Sequence, residues 1–137
     1  MLPRKQAMME DTASMLDVRF SQRRGWTLWA FESLRFNAET AVCTLVIAAR
    51  CVNGGMPLAH SDLLLAAICL LSSKLIEDQP VSLSDAARVL TMRKFHLGAA
   101  ERCVLARIPL PLVADLVADL VADSLWQTHN HRSPRRN

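Results

Sequence analysis

Between Asp62 and Lys74 the chain reads Leu-Leu-Leu-Ala-Ala-Ile-Cys-Leu-Leu-Ser-Ser, uncharged throughout and apolar up to its last two serines. Wound as a helix, such a run has no polar side, and a protein in water carries a helix of that kind only by surrounding it with others. The run is about half the roughly 20 residues that a membrane span requires, so the chain is expected to be soluble, with no membrane partner. A helix over residues 58–77 is therefore expected at the centre of a helical domain. The rest of the sequence has to supply its neighbours.

With 137 residues, 51% of them hydrophobic, the chain suits one compact domain with its own core. Only 4 glycines and no tyrosine, against abundant alanine, leucine and valine, favour an all-α fold. Residues 1–20 mix charges and methionines without a clean period and are expected to form a flexible arm, with a short helix over 13–20 at most. Ser21 is placed to cap a helix over 22–35, where Trp26, Leu28, Trp29 and Leu34 recur at helical spacing. Asn37 suits the cap of a helix over 38–52, whose Val42, Leu45, Val46 and Ala49 make one apolar face. Asn53-Gly54-Gly55 ends it.

After Pro80, Ser82 and Asp85 have the spacing of a capping box for a short helix over 83–90. A fifth helix is expected over 94–108, with Phe95, Ala99, Val104 and Leu105 in the core, before Pro109 and Pro111 break the chain. The tetrapeptide Leu-Val-Ala-Asp then occurs three times in succession, over 112–123. A four-residue period overshoots one helical turn by about 40°, so Asp115, Asp119 and Asp123 form a slowly winding acidic stripe on a C-terminal amphipathic helix, 111–127. Like charges at that spacing describe a solvated face, and a metal reading is rejected. Residues 128–137 are expected to be a disordered basic tail.

Catalytic chemistry finds no foothold. No glycine-rich phosphate loop follows a strand, and no serine, cysteine or histidine sits in a nucleophile motif. His60 and His96 stand alone and His129 and His131 lie in the tail, short of the four converging ligands of a zinc site, so no metal or cofactor is expected. Cys43, Cys51, Cys69 and Cys103 form no Cys-x-x-Cys pair and fall in apolar stretches, which reads as buried reduced thiols of a nuclear or cytoplasmic protein. Residues 1–17 lack the apolar core of a secretory signal. The net charge of +3 is too mild to point to nucleic acid.

Two motifs carry a resemblance. Phe36-Asn37-Ala38-Glu39-Thr40 looks like a Leu-x-x-Glu-Thr entrance to a second helix, and Ser72-Ser73-Lys74-Leu75-Ile76-Glu77-Asp78-Gln79-Pro80 looks like an Ala-Ser-Lys-x-Glu-Glu-x-x-Pro-Pro segment closing a third. Glu101 stands 27 residues after Lys74, on the fifth helix. With the tryptophan-bearing first helix, this order resembles the cyclin family over residues 21–112. The resemblance implies a single five-helix cyclin-like box, 21–110, around the central apolar helix, with the C-terminal helix added. It further implies a non-catalytic regulatory subunit that binds and activates a cyclin-dependent protein kinase in cell division. By position, Leu71, Lys74, Leu75, Glu101, Leu105, Leu110 and Leu112 would hold the kinase's PSTAIRE-type helix.

The departures are specific. Gln22-Arg23-Arg24-Gly25-Trp26 stands where the family has Met-Arg-x-Ile-Leu, so a docking patch at Gln22, Trp26 and Trp29 is degenerate. Ala49 replaces the aspartate that pairs with the first-helix arginine, so Arg23 is expected to face solvent or to find another carboxylate. No second cyclin fold is expected within these 137 residues. Ser133-Pro134-Arg135-Arg136 resembles the phosphorylation consensus of the same kinases, which makes Ser133 a candidate phosphosite. The alternative is a helical adaptor of cyclin-like fold that binds no kinase, including a transcription-related one, for which Arg88, Arg93 and Lys94 form the nearest basic cluster.

Overall fold

A computed structural model describes residues 3–20, 23–58 and 61–108, together with Ala118. Among these residues the chain is all-α, with no strand: α1 Pro3–Arg19, α2 Trp26–Ser33, α3 Ala38–Asn53, α4 Asp62–Ile76, α5 Leu83–Val89 and α6 Lys94–Leu105. Helix α4 lies between α3 and α6, α1 packs on α2 and α3, and α5 packs on α6. Every residue of α4 from Leu65 to Ser73 is buried, as a helix without a polar face requires.

The ends of these helices follow local chemistry. The Asn37 side chain accepts a hydrogen bond from the Thr40 amide at 2.9 Å, and Ser82 Oγ accepts one from the Asp85 amide at 3.0 Å. Ser61 caps α4 in the same way, through the Leu64 amide at 3.3 Å, so α4 begins four residues later than the apolar pattern alone predicts. Gly55, at φ 91°, turns the chain away after α3, in a conformation that a side chain disfavours.

The N-terminal segment departs from expectation. Instead of a flexible arm, residues 3–19 form a 17-residue helix whose Met9, Thr12, Ala13 and Leu16 are buried. Their spacing repeats at three and four residues, and the charged residues between them obscured that stripe. Lys5 pairs with Glu39 at 3.0 Å and so ties α1 to the first turn of α3.

The start of α2 also differs. Ser21 and Gln22 lie outside the described residues, and the helix begins at Trp26 after Gly25 at φ 83°. The Asp17 carboxylate of α1 holds this turn, accepting from the Gly25 amide at 2.9 Å and the Thr27 hydroxyl at 2.5 Å.

Helix α6 buries Val104 as expected but turns Phe95 and Leu105 outward. Leu97, Gly98, Ala100, Glu101 and Val104 are buried, whereas Phe95 is 77% exposed and Leu105 41% exposed. Packing against α4 selects the stripe through Leu97, Glu101 and Val104, which rotates Phe95 and Leu105 outward. The segments expected to form a C-terminal amphipathic helix and a basic tail lie outside the described residues, apart from Ala118, which is helical and exposed.

Candidate functional site

Glu101 occupies the buried stripe of α6, four residues after Leu97 and three before Val104. A carboxylate in such a position loses most of its hydration and needs a compensating cation or donor. Lys74, in the last turn of α4, supplies it: Nζ lies 2.5 Å from Glu101 Oε2. The two side chains share the pair unequally, Glu101 being 10% exposed and Lys74 45%. The aliphatic stem of Lys74 leads from the apolar interface to a rim where its ammonium still meets water. At the carboxyl end of α4 that ammonium also lies on the favourable side of the helix dipole.

Next to Lys74 in the chain Leu75 is half-buried, and four residues after Glu101 Leu105 is exposed. Leu71 offers no surface to a partner, contrary to what the resemblance implied. It is 2% exposed and packed into the core, because at the centre of the bundle α4 is enclosed on that side too. Leu110, Leu112 and Ser133 lie outside the described residues.

A polar network supports the end of α4. Glu77 accepts from Ser73 Oγ at 2.6 Å and from Thr40 Oγ1 at 3.2 Å, while Ser73 Oγ accepts from the Val81 amide at 2.8 Å. One turn earlier, Thr44 Oγ1 donates to Ser72 Oγ at 3.0 Å. The two quoted sequence motifs thus meet across the α3–α4 interface. Sequence reasoning placed Thr40, Ser73 and Glu77 in motifs but missed that Glu77 bonds to both hydroxyls.

Trp26 and Trp29, expected in a degenerate docking patch, lie apart from this site, and Gln22 is outside the described residues. Arg23, Trp26, Trp29, Leu90 and Thr91 line an open groove of about 370 Å³. Trp26 is buried and tilts against the more exposed Trp29 at 6.1 Å between ring centroids. Arg23 finds a carboxylate partner in Asp62, in the first turn of α4, at 2.5 Å. Thr91 holds φ 59°, in the left-handed region that a β-branched residue seldom adopts. Leu90 and Thr91 join the groove from a distant part of the chain, and no local pattern could have indicated them.

Among the described residues no group of histidine, cysteine, aspartate and glutamate has the arrangement of a metal site, and no helix is long and apolar enough to cross a membrane. No family model, curated protein or solved structure matches the chain.

Proposed function

We propose that this chain is a cyclin-like regulatory subunit that binds a cyclin-dependent protein kinase and activates it by holding the kinase's PSTAIRE-type helix. The observation that carries this reading is the Lys74–Glu101 pair at the junction of α4 and α6. An ammonium has three donors and a carboxylate several acceptor positions, so each group retains capacity for a partner's backbone after meeting the other. The half-buried Leu75 follows Lys74 in the chain and the exposed Leu105 stands four residues after Glu101, and in this reading they add apolar surface to the contact. A kinase helix held inward keeps its glutamate against the ATP-binding lysine, and the subunit thereby favours the active conformation.

A pull-down against a panel of cyclin-dependent kinases tests the reading. Lys74→Glu places a second carboxylate beside Glu101 and removes the donors, and it is expected to abolish recovery of the kinase that the wild type retains. Equal recovery by both forms overturns the proposal. The competing reading is a helical adaptor that binds no kinase. It draws support from the burial of Leu71 and from the substituted docking segment, and predicts that no kinase is retained by either form.

A further inference from the structure

Between the start of α5 and the amino-terminal half of α6 runs an open groove of about 520 Å³, lined by Leu83, Lys94, Phe95, Gly98 and Arg102. Gly98 keeps it open. A methyl group there would stand 3.3 Å from Leu83 Cδ2 and 3.6 Å from a guanidinium nitrogen of Arg102, so a larger side chain would crowd both. Glycine inside a helix is unfavourable to the helix itself, and at this position room outweighs propensity. Phe95 is exposed, with the His96 ring edge-on to it at 6.0 Å. The charge around the groove is one-sided. Residues 81–108 carry Arg88, Arg93, Lys94, Arg102 and Arg107 against Asp85 and Glu101. Arg88 holds Asp85 and Lys74 holds Glu101, whereas Lys94 and Arg102 have no ion pair among the described residues.

We propose that this groove docks an acidic amphipathic peptide segment of a partner protein, one that presents a large apolar side chain beside carboxylates. The apolar part of the lining comes from both helices, Leu83 from α5 and Phe95 from α6, and offers an aliphatic or aromatic side chain contact on two sides. The cations set the polar requirement. The Arg102 guanidinium lies beside the Gly98 position, so it reaches back toward the amino end of α6. Its charge therefore stands about one turn, roughly 6 Å along the axis, from the backbone of Lys94. Carboxylates one turn apart on a peptide helix, with an apolar residue three or four positions from one of them, match that spacing. A single strand of nucleic acid calls for several stacking rings in a row, and among the described lining residues Phe95 is the only ring. A lipid surface calls for a broad apolar face that can enter the headgroup layer, whereas here the apolar contact lies inside a groove. The inference rests on α5 and α6 and is independent of the kinase reading.

Selection from a library of random twelve-residue peptides displayed on phage, against the full-length protein, tests the proposal. Enriched peptides are expected to carry two or more carboxylates within a turn of a leucine, methionine or aromatic residue. Fluorescence anisotropy with the most enriched peptide should show affinity falling roughly tenfold with Phe95→Ala, and by about as much or more with Lys94→Glu and Arg102→Glu together. All three side chains are exposed, so these variants should keep the fold, which a urea midpoint close to that of the wild type verifies. Replacing the carboxylates of the peptide by lysines should remove binding to the wild type and restore it to the doubly reversed variant. No enrichment, enriched peptides without carboxylates, or binding indifferent to these three side chains overturns the proposal. A labelled oligothymidylate or a phosphatidylserine vesicle that binds through Phe95 where acidic peptides do not also overturns it, and assigns the groove to nucleic acid or lipid.

Discussion

Thr40 at the start of α3 and Glu77 just after α4 share a hydrogen bond of 3.2 Å across 37 residues of sequence. The Thr40 hydroxyl lies between Glu77 and the Asn37 side-chain oxygen at 2.8 Å, so the cap of one helix and the end of another are bound in one network. Removing Glu77 orphans the buried Ser73 hydroxyl and loosens the turn that leads to Val81. Glu77→Ala is expected to lower unfolding free energy by about 1–3 kcal/mol, the scale for hydrogen bonds to a charged group. Urea denaturation checks this, and an unchanged midpoint at equal slope would show that the network contributes nothing.

Helix α1 is an integral part of the core. Leu16 is fully buried against the bundle, so Leu16→Ala is expected to cost about 2–5 kcal/mol, the range for large-to-small changes at enclosed sites. A segment that behaves as a loose arm would leave the thermal midpoint where it was, and that result would contradict the packing described here.

The two long-range ion pairs on α4 are expected to behave differently. Arg23 is 71% exposed and pairs with Asp62 at the surface, so Arg23→Ala should change stability by under about 1 kcal/mol. Lys74→Ala strands the buried Glu101 carboxylate, and its cost should exceed that of Arg23→Ala by roughly 1–3 kcal/mol. A double-mutant cycle with Glu101→Ala provides the measurement. Negligible coupling between the two positions would mean that Glu101 is hydrated after all.

Thiol chemistry should divide the cysteines. Burial pushes the Cys43 and Cys51 thiols up to about 11 and Cys69 to about 12, outweighing the lowering by the Ser72 bond at Cys43, Arg107 at Cys51 and the Thr44 bond at Cys69. Native protein should take up an alkylating reagent at the exposed Cys103, and at the other three only when unfolded. The same shifts set a pH dependence. Above the ordinary thiol value of 9.0 the unfolded chain loses these protons while the folded chain keeps them. The folded state then binds more protons, and stability falls as pH rises from about 9 toward about 11. A denaturation midpoint that stays flat over that window would count against burial of the three thiols.

Much of the helical layout was legible locally. Asn37 and Ser82 are followed three residues later by the amides they cap, and Gly54-Gly55 follows the last turn of α3. Such signals are readable because donor and acceptor lie within one turn of chain. The stripe in α1 was present but diluted, since Thr12 and Ala13 hardly differ from surface residues by composition. Phe95 and Leu105 misled because hydrophobicity alone does not say which side of a helix meets a neighbour. The Lys74–Glu101 pair was anticipated only through the family resemblance, as nothing in a spacing of 27 residues implies contact.

By itself, then, the sequence determined that the chain is helical, where several helices begin and end, and that one helix, uncharged between its ends, must lie inside. Those properties depend on backbone propensity, capping within a turn and the cost of wetting apolar surface. The tertiary structure decided which face of α6 is covered, that Asp62 answers Arg23 and that Leu71 faces inward. It also decided that Thr40 reaches Glu77. Each of these joins groups far apart along the chain, and only the packing of α3, α4 and α6 brings them within reach.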